Sequence, residues 1–213
     1  MEDPFPPAGF DNWAATYDES VAGNQGFPFA GYAHVLDTVV ARAGIQPGMT
    51  VLDLGTGTGL LAARFAAAGC ELWCTDFSEP MLEKARARLP QAHFACHDLR
   101  QPWLPAWSQR FDRIVSGYVF HHFEDEKKLT LIAELVRQRL VPGGRLVIAD
   151  LSVSEPADWQ VAEQQAGDDW EAELYWTASV MIPAIQALGL QVSYEQVSYC
   201  AGVYQITNEL DGF

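Results

Sequence analysis

The stretch Val51-Leu-Asp-Leu-Gly-Thr-Gly-Thr-Gly59, followed by helix-forming Leu60–Ala68 and then Gly69, constrains this chain more than any other. Three apolar residues interleaved with Asp53 read as a buried parallel strand. Gly55, Gly57 and Gly59 carry no Cβ, so the backbone there can turn tightly and come close to a ligand. Strand, glycine turn and helix in that order hold a nucleotide-like ligand at the carboxyl edge of an α/β sheet.

The rest of the sequence repeats the alternation. Strands are expected at Leu72–Thr75, Gln91–Cys96, Phe111–Ser116 and Arg145–Ala149. Helices are expected from Ser78, as cap, to Leu89, and over Asp125–Leu140, where Leu129, Ile132, Val136 and Leu140 form one stripe. Pro142-Gly-Gly144 reads as a turn, and Gln101–Arg110 as a surface loop. Upstream, Asp11–Asp18 reads as a short helix placing Trp13 and Tyr17 on one face, Gly23–Pro28 as a loop, and Tyr32–Ala43 as an amphipathic helix stopped by Gly44. Such alternation implies a parallel sheet with right-handed crossovers. Glu155–Thr177 is acidic and tryptophan-bearing, helical in pieces broken at Gly167, and a helix follows over Ser179–Leu188. Leu190–Ser198 and Val203–Thr207 lie too close together for a parallel return, so they form an antiparallel hairpin.

Three acidic residues fall at consecutive strand ends: Asp53, Asp76 and Asp98. With the glycine turn they make a cleft rich in acceptors and free of basic residues, poorly suited to a pyrophosphate and well suited to a ligand with donors and positive charge. A dinucleotide fingerprint also wants a small residue where Leu60 stands.

Composition narrows the partners. With 13 Lys and Arg against 28 Asp and Glu, the net charge of −15 repels phosphate backbones and anionic membrane surfaces. The 213 residues are enough for one full core, no apolar run spans a bilayer, and Met1–Pro7 lacks the pattern of a signal peptide, so a cytoplasmic protein is expected. The four cysteines contain no Cys-x-x-Cys pair and read as free thiols. His93, Cys96 and His97 would place ligands on opposite strand faces, so no metal site is expected there.

Taken together, Asp53-Leu-Gly-Thr-Gly-Thr-Gly59, Asp76-Phe-Ser-Glu-Pro-Met81, His97-Asp-Leu99, Val115-Ser-Gly-Tyr-Val-Phe-His-His122 and the Pro142-Gly-Gly-Arg-Leu-Val stretch resemble the class I S-adenosylmethionine-dependent methyltransferases. Trp13-Ala-Ala-Thr-Tyr-Asp18 with Phe120-His-His122 is similar to the small bacterial YrrT-like group. The resemblance implies a Rossmann-like, seven-stranded, mostly parallel sheet with helices on both faces and a C-terminal antiparallel hairpin. It implies one domain over residues 1–213: a helical cap at 1–44, a cofactor-binding core at 45–150, a helical substrate-side insert at 151–178, and a final helix and hairpin at 179–213.

It also implies roles. Asp76 would accept both ribose hydroxyls, Asp98 and the Leu99 backbone would serve the adenine edge, and Phe77 and Met81 would sandwich the ring. Gly55, Thr56, Gly57 and Gly59 would pass the methionine moiety, Asp53 would favour its ammonium, Tyr17 would close the cleft, and Ser78 and Ser116 belong to the same shelf. His121 or His122 is the candidate general base, and a structural histidine is the rival reading for each. The implied cofactor is S-adenosylmethionine and the implied partner a small-molecule methyl acceptor, with neither nucleic acid nor membrane; the protein would be a monomer or homodimer. A nucleotide-dependent oxidoreductase is disfavoured by Leu60 and the terminal hairpin. A non-catalytic cofactor-binding protein is the other alternative. In Ala157–Thr177, Trp159, Trp170, Tyr175 and Trp176 with the surrounding acids read either as an aromatic, acidic pocket for a cationic amine or as an ordinary amphipathic helix.

Overall fold

A computed structural model describes residues 7–23, 26–171 and 173–208. The Met1–Pro6 stretch lies outside these, as do Asn24 and Gln25 of the expected Gly23–Pro28 loop. In chain order the elements are α1 (Pro7–Trp13), α2 (Tyr17–Gly23), α3 (Tyr32–Ala43), β1 (Thr50–Leu54), α4 (Leu60–Ala67), β2 (Glu71–Asp76), α5 (Glu79–Arg88), β3 (His93–Cys96) and β4 (Phe111–Gly117). Then follow α6 (Asp125–Glu134), β5 (Leu140–Val153), α7 (Asp158–Ala166), β6 (Trp176–Thr177), α8 (Ala178–Ala187), β7 (Leu190–Gln196) and β8 (Ala201–Asn208).

The strands run in the order β3-β2-β1-β4-β5-β8-β7. The first five are parallel, while β8 is antiparallel to both β5 and β7. This is the expected Rossmann-like sheet with its terminal hairpin. The described residues hold eight strands rather than seven, because the two-residue β6 adds a short parallel pairing beside Ser152 and Val153. Alternation along the strands builds two cores. Leu52, Leu54, Ile114, Leu146 and Ile148 face one side with α6 and α8, and Val51, Val115, Val147 and Ala149 face the other with α3 and α4. Both faces are covered, which is why these strands read as nearly continuous apolar runs. Fully burying a side chain such as Phe65 or Phe111 contributes about 1.5–3 kcal/mol.

Three local expectations are corrected. The Asp11–Asp18 helix is two helices, α1 and α2, with a break at Ala14–Thr16; Trp13 and Tyr17 still meet, ring centroids 4.8 Å apart. The Asp125–Leu140 helix widens into a π turn over Leu135–Arg139, where the chain leaves α6 and passes straight into β5. Pro142-Gly-Gly144 is looped out of β5, since Leu140 pairs Phe111 and Arg145 pairs Arg113. All four cysteines are free. Among the described residues no helix is long and apolar enough to cross a membrane.

Candidate active site

Two cavities open side by side at the carboxyl edge of the parallel strands. The first is lined by Tyr17, Gly55, Gly57, Asp76, Phe77 and Met81 on one side and by Asp98, Leu99, Arg100 and Val119 on the other. The second lies between α1, the Phe27–Phe29 segment and the chain after α7. Phe10, Tyr17, Tyr118 and His122 line both and form the junction.

The glycine turn makes the first cavity possible. Gly55 and Gly57 sit at φ +65° and +54°. A Cβ on Gly55 would stand 2.3 Å from Val119 Cγ2, so the turn packs tightly there; a Cβ on Gly57 would meet nothing within 4 Å. Asp76 ends β2 with its carboxylate pinned by two backbone donors: Gly57 N–H reaches Oδ2 at 2.8 Å and Ser78 N–H reaches Oδ1 at 2.9 Å. A carboxylate has about four acceptor positions, so each oxygen keeps capacity toward the cavity. Burial pushes Asp76 up to about 6 against those hydrogen bonds.

Asp98 brings a correction: the cleft is not free of basic residues. Arg100 lines it and clasps Asp98, with Nη2 2.8 Å from Oδ2. Burial pushes the Asp98 carboxyl up, but the Arg100 hydrogen bonds and charge outweigh this and hold it below its ordinary value. Asp98 lies just past the end of β3, and the Arg100 N–H also donates to its Oδ1 at 2.8 Å, so the loop folds back on itself.

The other expected residues lie one layer deeper. Asp53 is buried within β1, 1% exposed. Its Oδ2 accepts from Thr56 Oγ1 at 2.6 Å, while Oδ1 is buried with no hydrogen-bond partner. Burial, opposed by the Thr56 hydrogen bond, pushes it up to about 7. Asp53 and Thr56 line a small pocket shared with Tyr17, Tyr32, Gly55 and Gly57. Gly59 caps α4, packed near Ala85 and Leu89. Ser116 donates to the Leu54 carbonyl at 2.9 Å. Ser78 caps α5, accepting from Met81 N–H at 3.4 Å, and donates to Asp11 at 2.6 Å.

That last bond belongs to a set tying the helical cap to the shelf below. Thr58 Oγ1 donates to Asp18 at 2.5 Å, Lys84 Nζ to the Ala15 carbonyl at 2.7 Å, and Arg88 binds both Asp18, at 2.6 Å, and the Thr58 carbonyl. Under the cap, Trp13, Tyr17, Phe29, Tyr32 and Tyr118 pack edge to face or tilted, with successive centroids 4.8–6.2 Å apart.

His121 and His122 sit in a short 3₁₀ turn after β4 and face different surroundings. His121 Nδ1 lies 2.5 Å from Asp150 Oδ1, and Nε2 lies 3.2 Å from Glu173 Oε2. Burial pushes His121 down, but Asp150 and Glu173 outweigh it and hold the imidazole above its ordinary value. Glu173 is set in place by the buried Lys128, whose Nζ donates to the next carbonyl, Leu174, at 2.6 Å. His122 is pushed down to about 2 by burial and the charges of His121 and Arg100, and is neutral. The ligating atoms of His121, His122 and Glu173 lie within 4.8 Å of one another, a spacing a metal ion can use. Both His121 nitrogens already face carboxylates, so the group stands as an ion-pair chain.

Sequence reading passed over Tyr118. It has φ +59°, a strained conformation for a residue with a side chain, and its hydroxyl is buried with no hydrogen-bond partner. Its place after Gly117 at the end of the fourth strand was the available signal.

Comparison with known proteins shows the family and agrees with the fold. The methyltransferase domain family matches residues 51–144. An uncharacterized methyltransferase of Geobacillus kaustophilus (strain HTA426) is 33% identical over 199 residues, covering 88% of this chain and 89% of the relative. The uncharacterized methyltransferase YrrT of Bacillus subtilis (strain 168) is 31% identical, covering 88% and 90%. Among solved structures, DhpI in complex with SAH superposes with a TM-score of 0.72 at 20% identity, covering 95% of this chain and 94% of that one. Magnesium protoporphyrin IX methyltransferase from Synechocystis PCC 6803 with bound SAM gives 0.68 at 18%, covering 98% and 100%.

Proposed function

This chain belongs to the S-adenosylmethionine-dependent methyltransferase family, and from that premise we propose that it transfers a methyl group to a small-molecule acceptor by in-line displacement. The observation that carries the reading is the pair of cavities meeting at Phe10, Tyr17, Tyr118 and His122. One is suited to the cofactor and the other opens onto it from the far side of a narrow aromatic junction.

The residues present fit the cofactor. Gly57 leaves open space at the cavity wall, Asp76 keeps free acceptor positions, and Asp53 Oδ1 is a buried acceptor in want of a donor. Asp76 would hold the ribose hydroxyls, Phe77, Met81 and Leu99 the adenine faces and edge, and Asp98 its amino group beside Arg100. Asp53, Gly55, Thr56 and Gly57 would surround the methionine end under Tyr17, with Gly59, Ser78 and Ser116 holding the shelf. When bound, the cofactor supplies a methyl already activated on a sulfonium. The protein's own part is alignment and exclusion of water, which the cap and the aromatic junction support. Neutral His122 can orient a donor at the junction, and the Asp150–His121–Glu173 chain can hold a proton beside it.

Within this reading, residues 1–213 act as one methyltransferase domain whose cap and 151–178 insert enclose the acceptor. The charge of −15 supports a small molecule, not nucleic acid or a membrane, as partner; a cytoplasmic monomer or homodimer is part of the same proposal. Calorimetric titration with S-adenosylmethionine, followed by S-adenosylhomocysteine release across small amines, acids, phenols and thiols, tests it. No cofactor binding, or binding without release for any acceptor, would sink the proposal.

A further inference from the structure

The second cavity, about 590 Å³, has a one-sided chemistry. Trp13, Phe27, Phe29 and Tyr118 give it aromatic walls, and Asp168, Asp169, Glu171 and Glu173 give it carboxylates. Among the described residues, neither Lys nor Arg lines it. Arg100 belongs to the other cavity, already clasped by Asp98. An anionic acceptor would face several carboxylates with neither Lys nor Arg to meet it, His121 being already held between Asp150 and Glu173, and a neutral one would leave the field unused. A cation is drawn both by the carboxylates and by the ring faces.

A separate observation points the same way. Tyr118 lines both cavities at their junction, is held at φ +59°, and has its hydroxyl buried without a hydrogen-bond partner. A hydroxyl in that state keeps an open acceptor position that an entering donor can fill. An ammonium carries such donors.

We infer that the methyl acceptor is an amine with an apolar body, taken up as its ammonium between the aromatic walls and the Asp168–Glu173 carboxylates. This rests on the methyltransferase reading above. The ammonium gives one proton to the Glu173 carboxylate. The freed nitrogen lone pair then attacks the sulfonium methyl carbon. A nitrogen–carbon bond forms, the carbon–sulfur bond breaks, and its electron pair stays on sulfur. The products are S-adenosylhomocysteine and the protonated N-methylamine, with charge conserved. Glu173, partly open to the cavity, releases its proton to solvent.

The test uses matched sets of aryl- and alkylamines with the corresponding carboxylates and alcohols, 2-phenylethylamine, 3-phenylpropanoate and 2-phenylethanol among them. Binding is read by calorimetry with S-adenosylhomocysteine present, and turnover by its release from S-adenosylmethionine. Amines are expected to bind at least tenfold tighter than their carboxylates and to be the members that turn over. The Asp169→Asn/Glu171→Gln double variant, changed at two exposed rim positions, is expected to lose about tenfold in amine affinity with cofactor affinity unchanged. Carboxylates or alcohols binding or reacting as well as amines would overturn the amine class and leave methyl transfer standing. So would an unchanged amine affinity in the double variant, or no amine binding by protein that binds the cofactor. Failure to bind the cofactor at all would instead strike the reading on which this one rests.

Discussion

His121 and Asp150 are joined twice: Nδ1 lies 2.5 Å from Oδ1, and the His121 backbone N–H donates to Oδ2 at 2.9 Å. The Asp150 side chain is 0% exposed, and its partners are the histidine and the Leu151 N–H, which donates to Oδ1 at 2.8 Å. Removing one partner of a buried pair leaves the other uncompensated, at about 3–5 kcal/mol. His121→Ala should therefore lower unfolding free energy in urea by that order. In the double variant with Asp150→Asn the loss should be smaller than the sum of the single losses. Additive losses would mean the two residues act independently.

Tyr118 sets stability against activity. Tyr118→Phe deletes a buried hydroxyl that has no partner, so it should stabilise the ligand-free protein by about 1 kcal/mol. If that hydroxyl binds the acceptor, the same change should lower kcat by about tenfold with cofactor affinity intact. A thermal melt and a turnover assay decide it; a less stable variant with full turnover would remove Tyr118 from the site.

Gly55 and Gly57 should fail differently. Gly55→Ala drives a Cβ to 2.3 Å from Val119 at φ +65°, so its melting temperature should fall. Gly57→Ala meets open space at φ +54°, costing about 1–2 kcal/mol of strain, while its methyl intrudes on the cofactor cavity. Its main effect should be at least a tenfold loss of S-adenosylhomocysteine affinity. Equal affinity in Gly57→Ala and the parent protein would place the cofactor elsewhere.

Burial raises Asp53 to about 7 and Asp76 to about 6, both above their unfolded values. Between the unfolded and folded values the native state holds protons that the unfolded chain has released. The stability these groups contribute is thus full below about pH 4 and is lost as pH rises through about 6 to 7, at about 1.4 kcal/mol for each pH unit between the two values. Thermal melts from pH 5 to 8 should show a shallower decline in Asp53→Asn than in the parent. Cofactor affinity should run the opposite way, rising through about pH 6 as Asp76 becomes a carboxylate able to accept two hydroxyls. Asp76→Ala should reduce it about tenfold to a hundredfold at pH 7.5.

What could be read from the sequence was local. The Val51–Gly59 turn, the Ser78 cap and the Leu190–Thr207 hairpin follow from spacing and residue type within each short stretch, and the structure has each of them. What could not be read was long-range pairing. Nothing near His121 announces Asp150, 29 positions on, or Glu173 beyond it. Arg100 gave no sign that it would fold back over Asp98 into the cleft. The α1–α2 break comes from tertiary contacts, Asp11 to Ser78 and Asp18 to Thr58, which hold each short helix against a different part of the shelf.

The acidic wall of the second cavity, and most of its aromatic wall, come from α1, the Phe27–Phe29 segment and Asp168, Asp169, Glu171 and Glu173, outside the β1–β5 sheet, which itself lends Leu151. On the proposed function, the work of folding and the work of choosing an acceptor would fall largely to different parts of the gene. Mutations in these three short stretches would then exchange one acceptor for another while the β-sheet and the cofactor shelf go on as before, which would make this architecture easy for evolution to retool.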